Sequence, residues 1–408
     1  MFICCWSVGA CRVLEFLMVR VDRYLGVEEW FMGVGSLISS VLVKPVSADC
    51  NLSCTYCFYL SKAELYPEVR VHRMSDEVLR ELVAQVVGVS PGRVSFCWQG
   101  GEPTLAGLDF YRRVVEYQEL FRAPGQVVEN CLQTNGVLID EEWARFLSRY
   151  GFLVGVSLDG PREFHDYYRR DRSGRGSYDR VMRGIGWLRK FGVEFNILVL
   201  LNDRNVKYPR KLYRFLVGQG FRYLQFIPCV ERDPETGEIA GYSITPEEYG
   251  RFLCELFDEW TRGGVPDVYI RDFDDILISY VTGDSPSCIF GRECGRYVVI
   301  EYNGDVYPCD FYVEPDWFLG NIMEEPLEEI LQKEKFKKFR SRKRELARRC
   351  EGCPWLWLCN GGCPRHWEVL GFSRNYFCSS YRRFFEYSHE RFLKLKRVVE
   401  LMYSFGVW

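Results

Sequence analysis

DCNLSCTYCFYL, residues 49–60, sets Cys50, Cys54 and Cys57 within eight positions and follows them at once with Phe58 and Tyr59. Three thiolates are one too few for a closed tetrahedral metal site, and closed zinc sites usually join two CxxC-like knuckles. A CxxxCxxC loop suits a cubane iron–sulfur cluster, which takes one thiolate per iron and here leaves one iron open to a substrate or cofactor. A structural zinc site completed by a distant ligand is the competing reading of the triplet. The two aromatic residues are packing in the plain reading; beside a cluster they also exclude solvent and orient a ligand.

Outward from this loop the chain repeats one grammar: apolar strand, polar signature, amphipathic helix. SSVLVKPVS (39–47) runs as a strand into the cysteine loop, and SDEVLRELVAQVVG (75–88) opens a helix with a Ser cap, acidic first-turn residues and a helical apolar period. RVSFCWQ (93–99) delivers GGEPT, QVVENCLQ (126–133) delivers TNG, and FLVGVSL (152–158) delivers DG, with helices around 109–121 and 141–151 between them. GVEFNILVLLN (192–202), a helix around 208–220 and YLQFIP (223–228) complete six strands. Strands alternating with helices predict a parallel α/β sheet wound into a full or partial barrel. In such barrels the chemistry sits where strands end and loops begin. The cysteine triplet, GGEP, TNG and SLDG all fall at that edge and so predict one shared cavity.

Composition narrows the class. A chain of 408 residues with 47% hydrophobic and 16% aromatic residues buries a large core and has room for two or three domains. A formal net charge of −3 gives no global reason to expect nucleic acid or membrane as partner, and no apolar run reaches the roughly 18 residues of a spanning helix. Eighteen cysteines in tight clusters read as metal binding in a reducing compartment, here the cytoplasm. The stretch MFICCWSVGACRVLEFLMVR (1–20) lacks the positive start of a secretory signal; residues 1–31 read as an extension, or an upstream start codon, before a working start near Met32. The four histidines, His72, His165, His366 and His389, stand in no metal or nucleophile motif, which weakens hydrolase readings.

With these motifs in place, the triplet followed by an aromatic residue on the first loop of a parallel barrel resembles the radical S-adenosylmethionine (SAM) superfamily. WQGGEPT (98–104) resembles that superfamily's second motif. The resemblance implies that the amino and carboxylate groups of SAM chelate the open iron. Gly100 and Gly101 would let a backbone edge approach the methionine amino group, and Glu102 would hold that ammonium or brace the loop. Asn135, Ser157, Asp159 and Arg169 occupy positions where family members contact SAM. Arg169 would present its fork to the methionine carboxylate, with the neighbouring Arg170 as the one-position alternative. RSGRGSYD (172–179) lacks the Walker lysine and does not directly follow a strand, so it is not read as a phosphate loop.

The second half is denser in cysteine. Cys288 and Cys294 are separated by five residues, Cys309 follows in VVIEYNGDVYPCDFYV (298–313), Cys350, Cys353, Cys359 and Cys363 crowd into RRCEGCPWLWLCNGGCPRHW (348–367), and Cys378 closes the series. Eight thiolates saturate two cubane clusters; two tetrahedral zinc sites use the same number. Residues 285–380 resemble the SPASM extension of radical SAM enzymes that modify peptides and proteins. NGDVYPCDFYV, then LGNI, then CNGGCPR, resembles more narrowly the anaerobic sulfatase-maturating enzymes, over nearly all of residues 40–380.

That resemblance implies interleaved ligands: Cys288, Cys294, Cys309 and Cys363 for one auxiliary cluster, Cys350, Cys353, Cys359 and Cys378 for the other, so three 4Fe-4S clusters with SAM. The remaining cysteines, Cys4, Cys5, Cys11, Cys97, Cys131, Cys229 and Cys254, read as packing residues. It also implies an activity: a 5'-deoxyadenosyl radical removes a hydrogen from Cβ of a Cys or Ser in an unfolded sulfatase segment, and the carbon radical then loses a proton and an electron on the way to formylglycine. Asp310 matches the family's general base; capping of a turn in the cluster loop is its plain alternative. Tyr59 and Gln99 match cavity positions that orient the substrate, and the auxiliary clusters would accept the electron. A ferredoxin or flavodoxin would feed the SAM cluster.

The expected plan is an extension over 1–36, a partial (β/α)6 radical SAM barrel over 37–275, a SPASM-type domain over 276–385 and a C-terminal helix over 386–408. Other SPASM peptide chemistry, thioether formation or cross-linking, is the alternative activity; a non-enzymatic iron–sulfur or zinc protein would have no use for GGEP, TNG and SLDG at one edge. KEKFKKFRSRKRELARR (333–349) carries ten Lys or Arg against two Glu and is read as a solvated helix joining the cluster segments rather than a nucleic-acid patch. His366 and Trp367, after CNGGCPR, depart from the polar residues expected there and bear on specificity.

Overall fold

The computed structural model describes residues 38, 40–90, 92–233 and 235–405. The expected extension over 1–36, with Cys4, Cys5 and Cys11, lies outside the described residues. The six expected strands form as β1 (Ser40–Lys44), β2 (Arg93–Trp98), β3 (Val127–Thr134), β4 (Leu153–Ser157), β5 (Phe195–Leu201) and β6 (Tyr223–Pro228). They lie side by side in chain order and pair in parallel.

Local chemistry explains the helices between them. Ser75 Oγ accepts from the Val78 amide at the start of the helix Asp76–Gly88, whose Leu79, Leu82, Val83, Val86 and Val87 form one buried stripe. Asp140 caps Glu141–Arg149 in the same way, and Thr245 with Glu248 closes a reciprocal capping box on Pro246–Trp260.

The strands alternate in what they bury. Val41, Val43, Phe96 and Trp98 join the large core that includes the helix stripes, whereas Leu42, Cys97, Cys131 and Val299 form a second, inner cluster with Tyr59, Tyr297 and Tyr307. The inner positions are in register, Leu42 against Cys97 and Cys97 against Cys131. Toward the strand ends the same row carries polar side chains, Lys44, Gln99, Gln133 and Ser157. That alternation makes one side of the sheet a packing face and the other a site.

Six strands are fewer than the sheet contains. A two-residue β7 (Tyr269–Ile270) extends it beyond β6, and β8 (Tyr297–Glu301) pairs in parallel with β1 at the other side. β9 (Asp305–Tyr307) and β10 (Gly320–Asn321) add on antiparallel, and the two outer strands, β7 and β10, do not meet, so the barrel is partial. The first strand of the cysteine-rich segment thus belongs to the same sheet as the barrel strands, across the expected boundary at 275. The sequence β8–β9, VVIEYNGDVY, has strand character, but its partner β1 lies far away in the chain, where local periodicity carries no signal.

The C-terminal helix starts at Cys378 itself and runs to Phe405. Phe384 and Phe392 pack on Phe257, with ring centroids 5.6 and 4.8 Å apart, which ties this helix to the barrel. His366 and Trp367, expected to bear on specificity, turn inward: Trp367 Nε1 donates to the Gly361 carbonyl at 2.7 Å and the His366 ring packs on Phe377 at 5.0 Å.

Candidate active site

The cysteine loop leaves β1 at Lys44 and turns sharply at Ser47, whose φ is 47°. Cys50 and Cys54 are held by short-range bonds: the Leu52 amide donates to Cys50 Sγ at 3.3 Å, and the Cys57 amide to the Cys54 carbonyl at 3.0 Å. Burial pushes both the Cys50 and the Cys54 thiol up to about 12. Bare thiolates are therefore unfavourable here, and a bound cationic centre is what would compensate them.

The GGEP loop docks on this loop from β2. The Gly101 amide donates to the Ser47 carbonyl at 2.7 Å and the Glu102 amide to the Asp49 carbonyl at 2.8 Å. A Cβ on Gly101 would stand 2.0 Å from the Asp49 carbonyl oxygen, and one on Gly100, where φ is +148°, 2.7 Å from the Ser47 oxygen. The glycines are required by the approach of protein backbone to protein backbone. Glu102 is fully buried and accepts four hydrogen bonds, from Thr104 N, Thr104 Oγ1, Thr134 Oγ1 and Asn135 N, at 2.6 to 3.1 Å. It braces the ends of β2 and β3, the second of its two expected roles.

The remaining expected SAM contacts gather on the same side. Asn135 Nδ2 donates to Asn51 Oδ1 at 2.7 Å and faces Cys50 Sγ at 3.8 Å. Ser157 Oγ accepts from Gln133 at 3.2 Å. Arg169 lies beside Cys54 and spends two donors on Asp159, Nε at 3.0 Å and Nη2 at 3.1 Å. Arg170 instead reaches out to the Asp166 carbonyl at 2.9 Å, so the inward residue of the pair is Arg169. Asp159 takes two donors of the fork here, and Tyr56 and the Leu200 amide complete the bonds to Asp159.

Across the inner face stands a second group. Asp310, fully buried, accepts from Tyr297 Oη at 2.8 Å and lies 3.4 Å from Cys309 Sγ. Tyr59 donates to Glu301, and Gln99 Oε1 accepts from Lys44 Nζ at 3.4 Å. The Lys44 ammonium sits 3.9 Å above the Tyr59 ring centroid. Burial lowers the Lys44 pKa, while Asp310, Glu301, Cys57 and Cys309 act in the opposite direction. Lys44, Glu301 and Tyr297 were missed in the sequence. The available signal was a charge closing each of two apolar strands, SVLVK and YVVIE, at a position that alternation turns inward.

The cysteines sort by which thiols feel one another electrostatically. Cys50 interacts with Cys54 and Cys57. Cys294 interacts with Cys288 and Cys363, and Cys309 with Cys363. Cys359 interacts with Cys350, Cys353 and Cys378. All eleven are free thiols. No three His, Cys, Asp or Glu side chains among the described residues converge closely enough to ligate a single ion. A cubane asks for less, since its thiolates bind different irons. The donor sets therefore fit iron–sulfur clusters. Of the other cysteines, Cys97, Cys229 and Cys254 are buried.

Known proteins agree with this geometry. Residues 45–216 match the model of the radical SAM superfamily and residues 288–354 that of an iron–sulfur cluster-binding domain, SPASM. Fold and site thus define a radical SAM enzyme with a SPASM extension. A serine-type anaerobic sulfatase-maturating enzyme of Bacteroides thetaiotaomicron is 40% identical over 372 residues, covering 85% of this chain and 88% of that protein. A cysteine-type counterpart from Clostridium perfringens is also 40% identical, over 87% of this chain and 98% of its own. The solved structure "Native anSMEcpe with bound AdoMet and Cp18Cys peptide" superposes with a TM-score of 0.81 at 39% identity, covering 88% of this chain and 99% of that one. The chain belongs to the anaerobic sulfatase-maturating enzymes.

Proposed function

We propose that the protein oxidises a Cys or Ser of an unfolded sulfatase segment to formylglycine, with Asp310 as general base. The observation that carries this reading is a buried carboxylate, Asp310, on the inner face of the sheet, among the residues Lys44, Tyr59, Gln99 and Tyr297 and beside Cys309. Cys50, Cys54 and Cys57 would hold the SAM-binding cluster; Cys288, Cys294, Cys309 and Cys363 one auxiliary cluster; Cys350, Cys353, Cys359 and Cys378 another. When bound, these groups and SAM supply a hydrogen-abstracting 5'-deoxyadenosyl radical and a sink for one electron.

The chain's own residues do the rest. Asn135, Ser157 and Arg169, with Asp159 behind Arg169, shape the SAM side of the cavity. Tyr59 and Gln99, both tied to Lys44, orient the target side chain. After its Cβ hydrogen is removed, the target gives its thiol or hydroxyl proton to an Asp310 oxygen and one electron to the sink, which leaves a C=S or C=O bond. With a Cys target, water exchanges the thioaldehyde sulfur for oxygen and releases hydrogen sulfide. No helix among the described residues is long and apolar enough to cross a membrane. We place the enzyme in the cytoplasm, with a ferredoxin or flavodoxin as electron donor.

The test is anaerobic. The reconstituted protein receives SAM, a reductant and paired sulfatase-type peptides bearing Cys or Ser, and both 5'-deoxyadenosine and peptide mass are followed. An aldehyde on either peptide is the expected result. SAM cleavage with neither peptide changed would discard the sulfatase substrate in favour of another peptide.

A further inference from the structure

The basic stretch 333–349 forms the helix Glu334–Ala347, and its charges divide. Arg340 and Arg344 pair with Glu293, Lys337 with Glu334 and Arg342 with Glu368. The buried face carries Phe336, Phe339, Lys343 and Leu346. Their spacing of three, four and three residues is a single core stripe, in which a lysine stands where a hydrophobe would cost least.

Lys343 is 1% exposed. Its Nζ donates to the carbonyls of Cys288 at 2.8 Å and Ile289 at 2.6 Å. Electrostatically its neighbours include Cys294, Cys288 and Cys363. The helix is pressed against this loop: a Cβ on Gly295 would stand 2.5 Å from Arg340 Cγ and 3.2 Å from the Phe336 ring. An ammonium has three donors, and two carbonyls account for two of them. A neutral residue could fill the stripe, and a neutral donor could satisfy the carbonyls. Once Cys288, Cys294 and Cys363 hold a cluster as thiolates, only a cation at this position adds compensating charge.

We propose that Lys343 is a positioning residue that places a buried positive charge against the cluster held by Cys288, Cys294, Cys309 and Cys363 and makes its one-electron reduction easier. The proposal rests on the ligand assignment above. Net charge and hydrogen bonding around a cluster set its potential, and a fixed cation stabilises the reduced, more negative form. In the proposed reaction the electron comes from the target carbon as its proton goes to Asp310. A cluster with a raised potential draws that electron away.

The experiment uses the full chain, anaerobically reconstituted. Iron and sulfide content and an EPR-monitored redox titration are recorded for wild type, C363A, K343M, K343Q and K343R. C363A identifies which signal belongs to this cluster. In K343M and K343Q that signal alone moves to lower potential, by about tenfold or more in the oxidised-to-reduced ratio (59 mV per tenfold for a one-electron couple), and K343R stays near wild type. An unmoved signal, an equal shift in all clusters, or a shift in K343R as large as in K343M would overturn the proposal. Loss of the cluster in the neutral variants would also overturn it, and would assign Lys343 to holding the ligand loop together. If C363A removes no signal, the ligand assignment itself has failed, whatever the lysine variants show.

Discussion

Two groups of buried carboxylates face each other across the strand ends, and they are built differently. On the GGEP side, Glu102 and Asp159 each accept four hydrogen bonds, so their oxygens are committed to holding loops and Arg169 in place. On the cysteine-rich side, Glu301 and Asp310 stand with Tyr59 and Tyr297 around one buried lysine, Lys44. A saturated carboxylate is scaffold, since protonating it would break its bonds. Asp310, which has the Tyr297 phenol and the Lys44 ammonium among its neighbours, is the carboxylate we propose to take a proton.

The variants that test this contrast separate the two sides. E102A leaves four buried donors without an acceptor and costs about 4 kcal/mol of stability, read by denaturant unfolding, and it lowers SAM cleavage together with peptide oxidation. K44M removes the ammonium that faces both Asp310 and Glu301 and costs about 3 kcal/mol; adding E301Q recovers part of that loss, a coupling that a double-mutant cycle reads. If E102A spared SAM cleavage, or K44M and E301Q simply added, the division into scaffold and proton-accepting side would fail.

A smaller effect comes from pH. Burial lowers the pKa of both His165 and His366 to about 3. Each stays neutral in the fold and takes a proton in the unfolded chain below the ordinary value near 6.5. The unfolded chain then binds more protons, so stability falls as pH falls from about 6.5 toward 3. Each histidine accounts for about 2 kcal/mol between pH 6.5 and 5. The His366→Gln variant should show a shallower decline than wild type in denaturant unfolding across that range, and an unchanged slope would contradict the assignment. Smallest of all, removing the surface pair Arg93–Glu129, with Arg93 half exposed, shifts stability by about 1 kcal/mol or less.

How far the sequence reached follows the same division. The six strands, the motifs at their ends and the cysteine triplet were legible because each is local: a period, a cap or a spacing within a few residues. The role of Gly101 was not, because its neighbour is the Asp49 carbonyl on another loop. Lys44 and Glu301 passed as ordinary strand ends until β8 was found beside β1, a pairing that joins opposite ends of the chain. The basic helix was read from its charge count as solvated. That holds for Lys337 and Arg344, but the count hides the three- and four-residue spacing that buries Lys343 among Phe336, Phe339 and Leu346.

On the proposed reading, radical generation and proton removal belong to different sides of the site. The most direct measurement of that division is the ratio of 5'-deoxyadenosine to aldehyde formed by D310N beside wild type, anaerobically, on the peptide that wild type converts. Loss of a general base predicts aldehyde formation down by about 10²- to 10⁴-fold with SAM cleavage retained. Aldehyde at the wild-type rate, or SAM cleavage lost in step with it, would contradict the account.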